Sequence, residues 1–371
     1  MNGEAEIPRR RLALAARIPG INADILQAVA ASSPQLALLE QPDPAALAPL
    51  GLTTEAIAYL ACPDHRRLDA DLRWLDSSGS ALVGCCSPGY PELLRHSPSA
   101  PAVLYVRGRL PVLREPQLAM VGSRNPTAGG RATARDFAAR FARLGLSITS
   151  GMALGIDAAC HEGALMAAGA TIAVLGHGLD SVYPPEHAAL AERIAAQGAL
   201  VSEFPPGTSV RKHHFPRRNR IIAGLAHGTV VVEAADDSGS LITARLAGAA
   251  GREVFALPGS IHNPMARGCH ELIRQGAKLV ERVEDVLAEL KIPLSAQLLA
   301  GDAESPAAAP VLDKEYKILL DALAFEPASV DSLIERTGMN SESIASMLLI
   351  LELDGHVAPH PGGRYSRMAG R

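Results

Sequence analysis

Residues 115–290 show the pattern that most constrains the fold: short apolar runs end in Gly, Ser or Asp and are followed by helical patterns. Apolar runs bounded by turn residues predict strands at 118–121, 147–149, 171–175, 199–202, 229–233 and 253–256. Helices are predicted between them, for example at 131–144 and 241–250. This alternation predicts an α/β fold with a Rossmann-like, doubly wound, mostly parallel sheet.

Smaller units are predicted on both sides of this domain. Residues 1–75 alternate short helical patterns with Pro and Gly breaks, which is typical of a small helical module of the SAM or helix-hairpin-helix kind. Residues 76–114 lead into the Rossmann-like domain, which we assign to 76–290. Residues 291–312 are rich in Ala, Pro and Ser and are predicted to be a linker.

Residues 313–371 are predicted to form a winged-helix domain. The helical patterns cover 314–323, 329–337 and 341–353, and two short strands at 356–358 and 364–366 flank a Pro-Gly-Gly turn. The third helical pattern has two acids and no Arg or Lys, whereas a helix that reads the major groove needs basic or amide side chains. We therefore expect this domain to serve protein contacts or regulation, with weak contact to a DNA backbone left open for Arg364 and Arg367 in the wing.

Composition restricts the chemistry. The 371 residues carry a formal net charge of −4, so a nucleic-acid site must be a local concentration of positive charge. The five cysteines are odd in number and form no CxxC, which argues against a disulfide framework or a zinc site and fits a reducing compartment. There is no GxxxxGK[ST] and no HExxH, and no run of about 18 apolar residues. We expect a cytoplasmic protein with no metal, no cofactor and no membrane contact.

Small residues and one Arg follow the first two predicted strands. Gly122, Ser123 and Arg124 come after the first strand, and Ser150 and Gly151 come after the second. Ligands of doubly wound sheets bind at the carboxyl ends of the strands, where the amides that open the next helix add positive potential. Two such turns on one sheet edge predict an anion site.

The turn after the third predicted strand, residues 176–181, is close to the dinucleotide fingerprint GxGxxG. Ser181 replaces the third Gly, and Pro184 and Pro185 delay the helix that would receive the pyrophosphate. The fingerprint is therefore incomplete, and we expect no dinucleotide cofactor.

The strongest local signal is the basic block, residues 211–220 with the sequence RKHHFPRRNR. Five of these ten residues are Arg or Lys, two are His and none is acidic. Cations beside an aromatic ring suit single-stranded nucleic acid, because the charges hold the backbone while the ring stacks on a base. The alternative is a solvated basic loop whose Phe215 is tucked into the core.

Several stretches together resemble the DNA-processing protein A family, DprA or Smf. They are AMVGSRNPTAGG at 119–130, TSGMALGIDAACHEGAL at 149–165, TIAVLGHGLDSVYPPEH at 171–187, SEFPPGTSVRKHHFPRRNRIIAGLAHGTVVVEA at 202–234 and GSLITARLAGAAGREVFALPGS at 239–260. The resemblance implies a non-catalytic homodimer that binds and protects incoming single-stranded DNA. It also implies loading of RecA recombinase during natural transformation and recombination, with single-strand-binding protein as a further candidate partner.

The resemblance also implies site residues. The family's GSR turn falls on Gly122, Ser123 and Arg124. Its KxxFPxRNR stretch covers Lys212, Phe215, Pro216, Arg217, Arg218, Asn219 and Arg220. Among these we expect Arg124, Lys212, Asn219 and Arg220 to contact phosphate and Phe215 to contact a base. Ser150 and Gly151 are expected to supply hydroxyl or backbone donors.

An enzyme of the same fold superfamily is the alternative function. Cytokinin-activating phosphoribohydrolases carry PGGxGTxxE, and that pattern placed on Thr243 requires Glu where Leu246 stands. The Pro-Gly-Gly is also replaced, by residues 237–240 with the sequence DSGS. The catalytic carboxylate of that class is thus missing at this place.

Overall fold

A computed structural model describes residues 7–290, 314–323 and 327–368. The linker predicted at 291–312 lies outside these residues. Across the described parts of the chain, no helix is long and apolar enough to cross a membrane.

The centre of the molecule is a nine-stranded sheet in the order β1-β2-β6-β5-β4-β3-β7-β8-β9. Its strands are β1 Ala81–Gly84, β2 Val103–Gly108, β3 Gln117–Val121, β4 Ser147–Ser150, β5 Thr171–Val174, β6 Ala199–Ser202, β7 Gly228–Val231, β8 Glu253–Ala256 and β9 Lys278–Leu279. The seven strands β3 to β9 are mutually parallel, and β2 joins β6 antiparallel. The predicted α/β fold with a doubly wound, mostly parallel sheet is confirmed.

Three strands of this sheet were not predicted. β1 and β2 come from the lead-in segment 76–114 and form an antiparallel pair at one edge of the sheet. β9 has only two residues, both exposed, at the other edge. The six predicted strands all exist, with ends that differ by no more than two residues.

Helices cover both faces of the sheet. They are α6 Glu92–Arg95, α7 Ala128–Arg143, α8 Ile156–Met166, α9 Ala188–Gln197, α10 His214–Leu225, α11 Ser240–Ala249, α12 Arg267–Arg274 and α13 Val283–Leu290. Because side chains alternate along a strand, β3 divides its residues between two cores. Leu118 and Met120 pack with α7, α8 and α13, while Ala119 and Val121 share a core with α10, α11 and α12.

The N-terminal region is helical, as predicted. It comprises α1 Arg9–Ala15, α2 Ala23–Ser32, α3 Pro44–Leu47, α4 Thr54–Ala61 and α5 His65–Ser78. Its apolar residues, such as Leu12 and Leu26, join the same core as α10 and α11, so this region packs directly on one face of the sheet. Arg17 and Asp71 form a mostly buried ion pair at 2.6 Å inside it.

The C-terminal residues form the predicted winged helix. Helices α14 Lys314–Leu323, α15 Val330–Thr337 and α16 Ser341–Leu353 pack around their own apolar core. A three-stranded sheet in the order β10-β12-β11 completes it, with β10 Ala328–Ser329, β11 Val357–His360 and β12 Arg364–Arg367.

Candidate nucleic-acid interface

A cavity of about 680 Å³ lies at the carboxyl edge of the sheet, between the ends of β3 and β7. From β3 the chain continues to β4 on one side, while β7 lies on the other side, so this is the point where the strand order reverses. Ligands of open α/β sheets bind at such a point. The turn after β3, the start of α10 and the turn between β7 and α11 line the cavity.

The turn after β3 places Gly122, Ser123 and Arg124 at the cavity. A Cβ atom at Gly122 would lie 2.9 Å from the Glu233 carbonyl oxygen, so only glycine fits there. The Ser123 hydroxyl accepts a hydrogen bond from the Asn125 amide at 3.1 Å. Arg124 is exposed, and no carboxylate of the described residues pairs with it.

Contrary to expectation, protein side chains take up some of the amides at the start of α7. The Thr127 hydroxyl accepts from the Gly130 amide at 2.9 Å. The Glu233 carboxylate in turn accepts from the Thr127 amide at 2.9 Å and from its hydroxyl at 2.6 Å. Protein groups therefore already fill the positive end of this helix.

The structure does not support the prediction that Ser150 and Gly151 supply donors to a ligand. Both residues are buried, and neither lines the cavity. The Ser150 hydroxyl donates to the Met120 carbonyl at 2.7 Å, and the Gly151 amide donates to Asp157 Oδ2 at 3.1 Å. These donors therefore form hydrogen bonds within the protein, to β3 and to α8.

The basic block begins α10 and divides into an exposed and a buried set. Arg211, Lys212 and Arg217 are exposed, whereas His214 and Arg218 are buried. Lys212 lies at the cavity and forms no ion pair with any described carboxylate. The block is therefore not a uniform solvated loop: one side faces the cavity and the other anchors the helix.

Arg218 is the main anchor. Its guanidinium donates to the carbonyl oxygens of Gly151, at 2.6 Å, and Val174. Burial lowers the pKa of Arg218 to about 10, an effect that buried Asp157 opposes. The side chain thus remains protonated at neutral pH and keeps a fixed positive charge at the inner wall of the cavity.

Arg217 and Arg220 both pair with Glu203, which is buried after β6. Their Nη2 atoms lie 2.9 and 2.5 Å from Glu203 Oε2. The Arg220 side chain is only 17% exposed and does not line the cavity, so the structure does not support the phosphate contact expected of it. Arg217 is 55% exposed and reaches solvent outside the cavity.

Phe215 is half-buried and lines the cavity, so it is not tucked into the core. The guanidinium carbons of Arg124 and Arg218 lie 5.7 and 5.9 Å from its ring centroid, within cation–π range. The Tyr183 ring is 6.0 Å away, centroid to centroid, and tilted by 39°. The result is an aromatic surface with cations beside it.

Asn219, of which a phosphate contact is expected, also lines the cavity. Its Oδ1 accepts from Arg218 Nε at 3.0 Å, and its Nδ2 donates weakly to the Gly239 carbonyl at 3.4 Å. Asn219 thereby links the anchoring arginine to the turn that precedes α11.

Two residues of this site were missed from the sequence. Asp157 is buried beside the cavity and accepts from the amides of Gly151 and Ala153. Burial raises its pKa, and Arg218 opposes that rise. Tyr183 is 47% exposed after β5 and lines the cavity. Both stood in the stretches that carry the family resemblance, but nothing in their local pattern placed them at the site.

Among the residues that the structure describes, no group of three or more His, Cys, Asp or Glu side chains is arranged to hold a metal ion. At the position where the phosphoribohydrolase pattern requires its catalytic Glu, α11 carries the half-buried Leu246.

Comparison with known proteins decides the family. The profile described as DNA recombination-mediator protein A matches residues 81–291, and that of the DprA winged-helix domain matches residues 303–363. The chain belongs to the DprA/Smf family. Protein Smf of Escherichia coli is 42% identical to it over 328 residues, which are 86% of each chain.

Solved structures agree with this assignment. DNA processing protein A from Streptococcus pneumoniae superposes with a TM-score of 0.67 at 35% identity, covering 77% of this chain and all of that one. The protein from Helicobacter pylori, described for its single-stranded DNA binding mode, gives a TM-score of 0.52 at 28% identity and covers 57% of this chain and 95% of that one. The family match over residues 81–291 therefore covers the sheet that forms the cavity.

Proposed function

We propose that this DprA/Smf protein binds single-stranded DNA in the cavity between β3 and β7. The observation that carries the proposal is that Arg124 and Lys212, which pair with no carboxylate of the described residues, share one cavity with the half-buried ring of Phe215. The Helicobacter pylori relative, which binds single-stranded DNA, supports it.

Positive charge is arranged in two layers around the cavity. Arg124 and Lys212 are exposed and able to follow a phosphate backbone, while Arg218 is held behind them by carbonyl oxygens. Cations that neutralise phosphates release condensed counterions, which drives binding without regard to sequence. The overall charge of −4 gives no bulk attraction to DNA, so binding requires a local concentration of cations such as this one.

The position of Phe215 favours single strands over duplex DNA. Its ring lies inside a concave site and is half-buried. A base reaches such a ring only if it is unstacked from its neighbours, and in a duplex that unstacking costs a few kcal/mol. A single strand presents its bases freely to an aromatic surface.

We further propose that the protein acts without catalysis. It protects incoming single-stranded DNA in the cytoplasm and loads RecA onto it during natural transformation and recombination, as a homodimer that also meets single-strand-binding protein. The family's description as a recombination mediator supports this role. The apolar Leu246 in place of a catalytic carboxylate weighs against the phosphoribohydrolase alternative.

Fluorescence anisotropy with a labelled oligonucleotide tests the binding proposal. Single-stranded DNA should bind more tightly than the same sequence as a duplex, and the double variant Arg124→Ala/Lys212→Ala should lose most of that affinity. Arg193→Ala is the matched control, because Arg193 is an exposed arginine of α9 outside the cavity. Equal loss in the control, or no loss in the double variant, would place the site elsewhere.

Two further assays test the biological role. Addition of the protein to DNA coated with single-strand-binding protein should shorten the lag before RecA hydrolyses ATP, and the double variant should not do this. Incubation with nucleoside monophosphates should release no free base, whereas turnover would favour the enzyme alternative.

A further inference from the structure

We infer that Tyr183 is a second stacking platform for single-stranded DNA, which takes the base next to the one on Phe215 and directs the strand toward β5. The inference rests on the proposed function and extends it to the path of the strand. It starts from an unexplained exposure, because Tyr183 is the only aromatic residue among the exposed large hydrophobic side chains of the described chain.

The geometry of the two rings decides how they act. Their centroids are 6.0 Å apart with a tilt of 39°, which is a direct ring–ring contact. A base therefore has no room between them. Instead the rings form one continuous surface, on which two successive bases stack side by side.

The location of the two rings sets a direction. Phe215 packs against the turn after β5, since a Cβ atom at Gly176 would lie 3.4 Å from its Cδ1 atom, and Tyr183 lies further along the connection that leaves β5. Arg124 follows β3, and β4 separates β3 from β5 in the sheet, so a strand that passes from Arg124 onto the two rings crosses the carboxyl edge toward β5.

Charge on the opposite side of the cavity supports the same direction. Asp236 and Asp237 are exposed on the turn after β7, and Asp237 lines the cavity. Their carboxylates repel phosphates on the β7 side. Arg124 lies beside Phe215, so the backbone remains near a cation as it passes from one ring to the next.

The tyrosine ring, and not its hydroxyl, carries this role. No hydrogen bond of the Tyr183 hydroxyl is formed with the described residues, and the ring reaches solvent. Stacking on an aromatic ring is tolerant of base identity because every base has a π-face. Tyr183 should therefore extend the contact without adding base preference.

Three variants of the full chain test the inference in single-strand binding. Tyr183→Leu keeps an apolar side chain but should weaken binding about tenfold, the scale of one lost base–aromatic stack. Tyr183→Phe should bind within twofold of the wild type. Met166→Ala, which alters an exposed residue at the far end of α8, is the control and should bind like the wild type.

Tyr183→Trp gives a direct readout. Its emission, taken relative to a wild type that contains only Trp74, should be quenched when DNA is added. Lys212→Ala is measured in parallel as the reference for the cavity. The second platform is refuted if Tyr183→Leu binds within twofold of the wild type and the added tryptophan is not quenched. If Lys212→Ala loses affinity in the same experiment, the proposal that the cavity binds DNA remains supported. If Lys212→Ala also keeps full affinity, the proposed function itself fails.

Discussion

The two sides of the basic block at the start of α10 use similar basic residues in opposite ways. On the inner side, Arg218 is 4% exposed and donates hydrogen bonds to the carbonyl oxygens of Gly151 and Val174. On the outer side, Lys212 is exposed at the cavity, with no acid of the described chain paired to it. The difference shows that the number of basic residues in a run does not give the number that can bind a ligand. Only the cations that form no bonds with other protein groups are available to a ligand.

Substitution of Arg218, the anchor on the inner side, should destabilise the fold and has the largest expected effect of the changes considered. Arg218→Met leaves two buried carbonyl oxygens without their donor and leaves Asp157 buried without a nearby cation. We expect the free energy of unfolding in urea to fall by about 3 kcal/mol. Arg193→Met, at an exposed site on α9, should change it by less than about 0.5 kcal/mol. Unchanged stability of Arg218→Met would show that this arginine is not an anchor.

The ring on the outer side should contribute to binding without contributing charge. Phe215→Ala removes the surface on which a base stacks and should weaken single-strand affinity about tenfold, with little change in the dependence on salt. Binding isotherms at several salt concentrations measure both quantities. A large change in salt dependence with this variant would mean that the substitution moved Arg124, whose guanidinium lies over the ring.

The smallest effect is expected from the winged helix. Its third helix, α16, exposes the apolar residues Leu349, Ile350 and Leu353 and carries no Arg or Lys. In the wing, Arg367 pairs with Asp321 at 3.0 Å. Deletion of residues 305–371 should therefore change single-strand affinity less than tenfold, and a greater loss would give this domain a share of the binding.

The parallel sheet was predictable from the sequence because strands β3 to β7 are buried along their whole length, as expected of strands covered on both faces, and most of their residues are apolar. β6 and β8 were predicted with the observed bounds. The edges were harder. β1 and β2 are held by antiparallel pairing at one edge, and β9 is a two-residue exposed strand that any local pattern would miss.

The cavity was predictable in outline, since the carboxyl ends of β3 and β7 are brought together by the fold itself. The roles of individual residues were not. The sequence does not distinguish the arginines at 217, 218 and 220. Only the packing of α10 decides that Arg217 and Arg220 pair with Glu203, whereas Arg218 donates to backbone carbonyl oxygens. Likewise, the direction of the Ser150 hydroxyl depends on the pairing of β4 with β3, which is non-local.

The salt dependence of single-strand binding tests the central claim most directly. On a plot of log affinity against log salt, Arg124→Ala and Lys212→Ala should each reduce the slope by about 0.7, because each cation releases one condensed counterion. Arg220→Gln should leave the slope unchanged, since that arginine is already paired with Glu203. Wild-type slopes in both Arg124→Ala and Lys212→Ala, or a reduced slope in Arg220→Gln, would contradict the division of the basic residues into a binding set at the cavity and an anchoring set.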